Sequence, residues 1–455
     1  MMKPLLAACA LFLLCVPAWH AQGENARLRA AYAECDITPK EMLPLWRYHG
    51  APGPLPTASG TLDPLLAKVL IIASEQHRVA LVSLDLGRPP EAKLMQRIMD
   101  NTGLPFVMLV ATHTQNAPVL DAVLPVTPED AQGQALKRYY GELEGLLVNA
   151  INDAQVRLEP VQLGSRTVQL SGIQQPEEPG GRRPADGACM IVKLETAAKT
   201  TLATWINFAC HPDTRPSEDL RYSADFPGVL TAKVQSATGA PCLFLQGAAY
   251  RQYAAPPKDT VAPENATAAV GHEFAQQIIP AVQQLACVAA RQPNLSYASG
   301  LVRTPARPNL SNPSVLLEVN NLLGPERAAA YLPRYKGNRI ALTAATCLIN
   351  DRLLLVGLSG EFTAQAASSI RLQHNTLDVA VLGYCNGYDF VFPGLHEVLP
   401  ADDARPEHQA WAASDAAGGI VKSIREDITP NLARATIAPT LKRRPQHDST
   451  EAVEP

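Results

Sequence analysis

The fold class is clearest from residues 106–116, which read FVMLVATHTQN. The apolar run Phe106–Ala111 is followed at once by the polar residues Thr112–Asn116. A short apolar run that contains valines and ends abruptly is typical of a buried β-strand. The polar residues after it predict a loop that leaves the strand and that can carry a functional site.

Similar apolar runs recur on both sides of this stretch, and longer helix-like segments separate them. The predicted strands are Lys68–Ala73, Val79–Asp85, Phe106–Ala111, Met190–Leu194, Leu202–Ala209, Cys242–Leu245, Arg352–Leu358 and Leu377–Leu382. The predicted helices are Glu91–Asn101, Asp130–Ala154, Pro227–Ser236, Pro263–Leu285, Thr363–Leu372 and Glu407–Asp427. This alternation predicts an α/β fold, with one large domain whose central, largely buried β-sheet is flanked by helices.

The composition excludes several classes of protein. The chain has 455 residues, of which 47% are apolar and 18% charged, and its net charge is −4. Such an apolar content can fill a large core, which argues against intrinsic disorder. The near-neutral charge argues against a nucleic-acid partner. The 39 prolines indicate many fixed loops.

The two ends of the chain differ from its middle. Lys3 and the apolar run Leu5–Cys15 predict a secretory signal peptide over residues 1–18. A lipoprotein signal at Leu6–Cys9 is the alternative. We therefore expect a secreted or periplasmic protein. The polar residues 429–455 predict a tail that is disordered at its end.

Removal of the leader would leave the cysteines at 35, 189, 210, 242, 287, 347 and 385. None of them is spaced as Cys-x-x-Cys, which disfavours zinc ribbons and thioredoxin-type redox chemistry. The sequence allows one or two disulfides in an oxidising compartment.

Three potential metal ligands, His113, His211 and Glu361, each come two or three residues after a predicted strand. In open α/β folds, ligands bind beyond the carboxyl ends of the strands. Two histidines and a carboxylate with an open fourth position suit catalytic zinc. Alternatives stay open, because a single histidine after a strand is often structural. Glu361 could also stand in the first turn of the following helix.

Other chemistries find less support. Gly357–Glu361 resembles a nucleophile elbow but lacks the last glycine of Gly-x-Ser-x-Gly. The sequence contains no phosphate-binding glycine loop and no dinucleotide fingerprint. A Cys210–His211 dyad is disfavoured because neighbours on an extended strand point to opposite faces.

Nine short motifs follow one another within residues 29–428. They are Cys35–Pro39, Leu62–Leu65, Val82–Asp85, Ala111–Thr114, Asn207–Pro212, Ser223–Gly228, Phe244–Ala249, Val356–Glu361 and Cys385–Tyr388. Together they resemble the catalytic domain of the neutral/alkaline (non-lysosomal) ceramidases. These are zinc amidases that split ceramide into sphingosine and a fatty acid. The resemblance implies zinc as cofactor and His113, His211 and Glu361 as its ligands, in agreement with their places after strands.

The sequence departs from the family pattern at three places. Gln115 stands where the family has a second histidine, and its amide can donate a hydrogen bond but cannot shuttle a proton. Val391 stands at the family's fourth ligand, a tyrosine. The segment Tyr250–Ala254 replaces a Gly-Asp segment with two phenols and a cation. A degenerate, non-catalytic binding protein is therefore one hypothesis.

The main hypothesis is an exported zinc hydrolase that cleaves ceramide or a related lipid N-acyl amide, with peripheral membrane contact for its substrate. We predict Gln115, Tyr388 and Arg251 as its catalytic residues. In the remaining hypothesis, the fold and the metal are kept but the substrate changes. Tyr250, Arg251 and Tyr253 would narrow the pocket and make it more positive, which favours a smaller or anionic amide or ester.

Overall fold

The computed structural model describes residues 27–48, 55–120, 131–176, 186–257, 262–305, 312–314, 316–317, 335–336, 339–388 and 390–392. The α-helices are α1 (Ala92–Thr102), α2 (Ala131–Gln155), α3 (Asp225–Thr238), α4 (Ala266–Gln284) and α5 (Ala364–Gln373). The strands are β1 (Arg29–Asp36), β2 (Gly60–Thr61), β3 (Leu66–Ala73), β4 (Arg78–Leu84), β5 (Val107–Ala111), β6 (Glu159–Gln169), β7 (Gln174–Pro176), β8 (Ala188–Thr196), β9 (Thr201–Phe208), β10 (Arg221–Tyr222), β11 (Cys242–Gln246), β12 (Gln252–Ala254), β13 (Leu295–Pro305), β14 (Tyr335–Lys336), β15 (Arg339–Ile349), β16 (Leu353–Leu358), β17 (Gly360–Phe362), β18 (Asp378–Leu382) and β19 (Phe390–Phe392).

The elements confirm the predicted α/β class. Every predicted strand is present, as is every predicted helix that falls in the described residues. The predicted helix Glu407–Asp427, the leader 1–18 and the tail 429–455 lie outside those residues. The long strands β1, β6, β13 and β15 were not predicted. β6, for example, has polar residues that are partly exposed along most of its length, so it lacks a continuous apolar run.

The largest sheet has eight strands in the order β11-β9-β8-β6-β1-β3-β4-β5. Most neighbours are antiparallel, but β4 pairs with β5 and β9 pairs with β11 in parallel. The sheet is therefore mixed rather than an open parallel sheet. The strands that precede His113 and His211 both belong to its parallel pairs, so the strand-end argument still applies to them.

This sheet curls so that its first and last strands come together. The ammonium of Lys68 on β3 donates to the carbonyl of Cys242 on β11, at 3.0 Å. The hydroxyl of Ser83 on β4 donates to the carbonyl of Phe244, at 2.6 Å. Side chains thus bridge strands that are far apart in the sheet order. The carboxyl ends of β5 and β9 are brought into one region by this curvature.

A smaller sheet, with the order β13-β15-β16-β18, packs against the large one. Buried residues such as Leu70, Trp205 and Leu355 share one apolar core between them. The amide of Asn207 donates to Leu245 of the large sheet and to Val381 of the small sheet, both at 3.0 Å. The end of β16, which precedes Glu361, is thereby held near the ends of β5 and β9.

Helices cover the outer faces of the large sheet. Leu143 and Leu147 of α2 pack with strand residues such as Val69. On the other part of the sheet, Phe274 of α4 meets Phe208 edge to face, with ring centroids 4.7 Å apart. Fully burying such side chains stabilises a fold by roughly 1.5–3 kcal/mol each. Every helix in the described part of the chain is too short or too polar to span a membrane.

The seven cysteines within the described residues are free thiols. Six of them are buried, and Cys35 is partly exposed. Burial raises the pKa of Cys347 to about 12. The core of the described residues therefore forms without the one or two disulfides that the sequence allowed.

Candidate metal centre

His113 enters the site through a sharp turn directly after β5. Its φ is 68°, in the left-handed region that a histidine seldom adopts. The turn is fixed by backbone bonds from Thr112 to Leu84 and from His113 to Leu86. Nδ1 of His113 lies 2.5 Å from the carbonyl oxygen of Gly87. That contact leaves Nε2 directed toward Glu361, whose Oε1 is 3.6 Å away.

His211 follows β9 and is also buried. Its backbone N–H donates to the carbonyl of Gln252 at 2.7 Å. The ring of Tyr253 stacks on the imidazole, with centroids 5.0 Å apart and planes 21° apart. The segment predicted to replace the family's Gly-Asp sequence therefore lies directly against His211.

Glu361 lies on β17 and is 1% exposed. The hydroxyl of Tyr388 donates to its Oε1 at 3.0 Å. The helix α5 begins only at Ala364, and the hydroxyl of Thr363 caps it by accepting from Ala366. The alternative that Glu361 belongs to the first turn of this helix is therefore wrong.

The structure brings the three predicted ligands together. One ligand atom each from His113, His211 and Glu361 all lie within 4.8 Å of one another, and all three side chains are buried. A carboxylate removed from water needs a compensating charge or hydrogen bonds. Two imidazole nitrogens and a carboxylate oxygen are ligands that zinc prefers. This group could hold a metal ion.

Aromatic rings enclose the group. Tyr384 stacks on His113, with centroids 4.0 Å apart, and Tyr388 lies parallel to Tyr384 at 5.8 Å. Trp46 meets His113 and Tyr388 edge to face. Burial, followed by the negative charge of Glu361, raises the pKa of Tyr384 well above 10. Its phenol therefore stays protonated at neutral pH.

The predicted catalytic residues lie around this centre, and their catalytic roles stay predictions. Tyr388 touches Glu361 directly. Gln115 is partly buried, and its Nε2 lies 3.4 Å from the carbonyl oxygen of His113. Arg251 has a φ of 55°, and its guanidinium lies 5.9 Å from the centroid of the Tyr250 ring.

The two neighbours of Arg251 tie its segment to the ligand loops. The backbone N–H of Tyr250 donates to Phe362, next to Glu361, at 3.0 Å. The carbonyl of Gln252 accepts the N–H of His211, at 2.7 Å. Arg251 is therefore placed beside two of the three ligands.

The position of the family's fourth ligand is beside Glu361. Strands β17 and β19 pair in parallel, with Glu361 in register with Val391. A valine carries no metal-binding atom, so this position supplies no fourth ligand. An open coordination position suits catalysis by water.

Trp46, Tyr384 and Gln246 also lie at or behind this centre, and none of them was predicted as a site residue. Gln246 ends β11, so it follows the predicted strand Cys242–Leu245 as the two histidines follow theirs. Tyr384 likewise follows β18 by two residues. Trp46 stands in a short 3-10 turn and carries no comparable signal in the sequence.

Comparisons with known proteins agree with this architecture. No protein-family model and no curated protein matches the sequence. Among solved structures, the neutral ceramidase from Pseudomonas aeruginosa is similar, with a TM-score of 0.67 and 16% identity over 95% of this chain and 77% of that chain. A ceramidase complexed with C2 is similar with a TM-score of 0.65 and 16% identity, over 88% of this chain and 76% of that chain. The chain therefore has the α/β fold of the neutral ceramidases.

Proposed function

We propose that the protein is an exported, zinc-dependent hydrolase that cleaves the amide bond of ceramide or a related lipid N-acyl amide. The observation that carries this proposal is the buried cluster of His113, His211 and Glu361. The fold shared with neutral ceramidases supports an amide substrate. The predicted leader 1–18 supports export, and a lipid substrate implies peripheral contact with a membrane.

The donor set suits zinc. Nδ1 of His113 is engaged by Gly87, which leaves Nε2 for the metal, as is usual where a backbone carbonyl orients a ligating histidine. His211 and Glu361 complete a set of three protein ligands. A zinc ion held by these three residues would supply a Lewis acid for the amide carbonyl and would make a bound water nucleophilic near neutral pH.

The remaining steps fall to side chains around the ligands. Tyr388 holds Glu361 in place through its hydrogen bond. Its phenol could give its proton to the leaving amine and regain one from the attacking water, so that the proton count balances. Gln115 has an amide N–H that can donate to the carbonyl oxygen as negative charge develops there. Arg251 adds a permanent positive charge next to Gln252, whose carbonyl accepts the backbone N–H of His211.

The test is the metal content of the purified protein, followed by hydrolysis of a fluorescent ceramide. We expect about one zinc per chain and ceramide turnover that His211→Ala abolishes. The matched control is His272→Ala, because His272 is an exposed histidine on α4 and should keep both zinc and activity. Less than about 0.2 zinc per chain would rule out every zinc-dependent function and would favour a binding protein. Turnover that survives His211→Ala would refute the ligand assignment.

A smaller or anionic amide or ester is a second candidate substrate. It is favoured by two arginines at the centre. Arg88, beside Gly87, is 8% exposed, and its guanidinium lies 5.8 Å from the centroid of the Tyr388 ring. Arg251 stands beside the loop of His211. Guanidinium groups bind carboxylates and phosphates well.

Paired substrates distinguish the two candidates. An N-acyl amino acid with a free carboxylate is compared with its neutral amide, which has the same acyl chain. If the anionic candidate holds, the carboxylate form reacts faster, and Arg251→Gln removes that preference. The control Arg157→Gln changes an exposed arginine paired with Asp153 and should leave it unchanged.

A further inference from the structure

The side chain of Gln246 lies directly behind both histidines of the candidate centre. It is the last residue of β11 and is fully buried. Its Nε2 donates to the carbonyl oxygens of Thr112, at 2.9 Å, and Cys210, at 2.7 Å. Its Oε1 accepts from the backbone N–H groups of Cys210 and Gly247, both at 3.0 Å. Every hydrogen-bonding site of the amide is therefore used.

The orientation of this amide follows from its partners. Two carbonyl oxygens face one end of the side chain and two N–H groups face the other, so turning the amide over would break all four bonds. Close backbone packing fixes the group further. A Cβ on Gly247 would lie 2.9 Å from the backbone nitrogen of Ala209, so the chain after Gln246 has no space for a side chain.

Two of the partners of Gln246 immediately precede the predicted ligands. Thr112 is followed by His113, and Cys210 is followed by His211. These residues follow β5 and β9, which are separated by five other strands in the order of the sheet. One amide therefore bridges two strand ends that backbone pairing does not connect.

We propose that Gln246 is a positioning residue that sets the separation and orientation of His113 and His211 for a metal ion. This inference rests on the proposed function. The amide holds the Cys210 backbone by both N–H and C=O, as a neighbouring strand would, and reaches across to Thr112 with its second N–H. Because each histidine is the next residue along the chain, movement of either backbone moves a ligand.

The test measures metal affinity in Gln246→Met and Gln246→Glu. Methionine fills a similar volume without hydrogen-bonding groups. Glutamate keeps the two acceptor bonds but turns a carboxylate oxygen toward the carbonyls of Thr112 and Cys210. Loss of groups that orient ligands typically weakens metal binding by about 10–100-fold. We expect a zinc Kd raised by about that factor in both variants, measured by competition with a chelator.

The matched control is Tyr139→Phe. Tyr139 is a buried residue of α2 whose hydroxyl donates to the backbone carbonyl of Ile37, at 2.7 Å, and neither residue is next to a predicted ligand in the sequence. Its substitution should lower the melting temperature and leave the zinc Kd within about threefold of wild type.

A spectroscopic readout separates positioning from general destabilisation. Cobalt(II) bound to the folded protein reports coordination geometry through its visible absorption. We expect a changed band shape in Gln246→Met and Gln246→Glu and an unchanged one in Tyr139→Phe. If Gln246→Met fails to fold, the glutamate variant, which preserves shape, gives the answer.

The outcomes that overturn the inference are specific. Wild-type protein that binds zinc, together with Gln246 variants of unchanged Kd and cobalt spectrum, overturns it while the proposed function stands. An equal loss of affinity in Tyr139→Phe also overturns it, because the effect would then be general. Wild-type protein that binds no zinc overturns both the proposed function and this inference.

Discussion

Replacing Gly87 by alanine should destabilise the folded protein through a clash with Trp46 beside the metal centre. A Cβ at this position would lie 2.0 Å from Cγ of Trp46, and 2.2 and 2.5 Å from its Cδ1 and Cδ2. Carbon atoms pack at about 3.5–4.0 Å, so the indole must retreat by about 1.5 Å. Trp46 is fully buried between His113 and Tyr388 and cannot move into solvent. Overpacking of this severity costs about 3 kcal/mol, or about a hundredfold in the folding equilibrium.

Urea unfolding of four variants measures this effect. Gly87→Ala should lose about 3 kcal/mol in wild-type protein but less than about 1 kcal/mol when Trp46→Ala has already removed the ring. The control Gly141→Ala adds a methyl in open space on the exposed side of α2, and should stabilise the protein by up to about 1 kcal/mol. An equal loss for Gly87→Ala with and without Trp46 would refute the steric reasoning, as would a Gly87→Ala protein of wild-type stability.

Further substitutions and conditions test other features. Tyr388→Phe keeps the ring but removes the O–H donor to Glu361, and should raise the zinc Kd by about 10–100-fold; an unchanged Kd in a chelator competition would contradict this role. Burial raises the pKa of Asp85 to about 6, above its unfolded value near 3.9. Its contribution to stability is thus fully present below about pH 4 and is lost, by about 3 kcal/mol, as the pH rises through 6. The free energy of unfolding of Asp85→Asn minus that of wild type should therefore increase between pH 4 and pH 7, and a pH-independent difference in urea melts would contradict the sign. Since the seven cysteines of the described residues are free, dithiothreitol should leave the melting temperature within about 1 °C. Of these seven, only the partly exposed Cys35 should react quickly with a thiol reagent.

The sequence was sufficient to predict the strands that are buried on both faces. Runs such as Val107–Ala111 and Leu353–Leu358 are apolar throughout because no residue in them meets water. β6 and β1 could not be found in this way. Their residues alternate between core and partly exposed positions, and β1 is rich in alanine, which has a weak strand preference. Such strands are fixed by their partners rather than by local pattern.

The candidate ligands could be predicted for a related reason. His113 and His211 follow apolar strands, and the position of a strand end is a local property of the sequence. The distance between them is not local, since it depends on the curvature of a sheet in which Lys68 of β3 and Ser83 of β4 reach across to β11. The contact between Trp46 and His113 could not be predicted either, because nothing in the sequence shows that these two distant segments meet.

The side chains that bridge the curled sheet also determine which backbone groups of the edge strand β11 are free to bind another chain. A bare edge strand displays carbonyl and N–H groups that a second chain can extend by strand addition. On β11, the outward carbonyls of Cys242, Phe244 and Gln246 are already occupied by Lys68, Ser83 and the N–H of Gly383. At the opposite edge, the amide of Asn386 occupies backbone groups of β5. Side chains thus occupy backbone groups on both edge strands, which disfavours association through those edges. The same edges lie where the curled sheet brings His113 and His211 together.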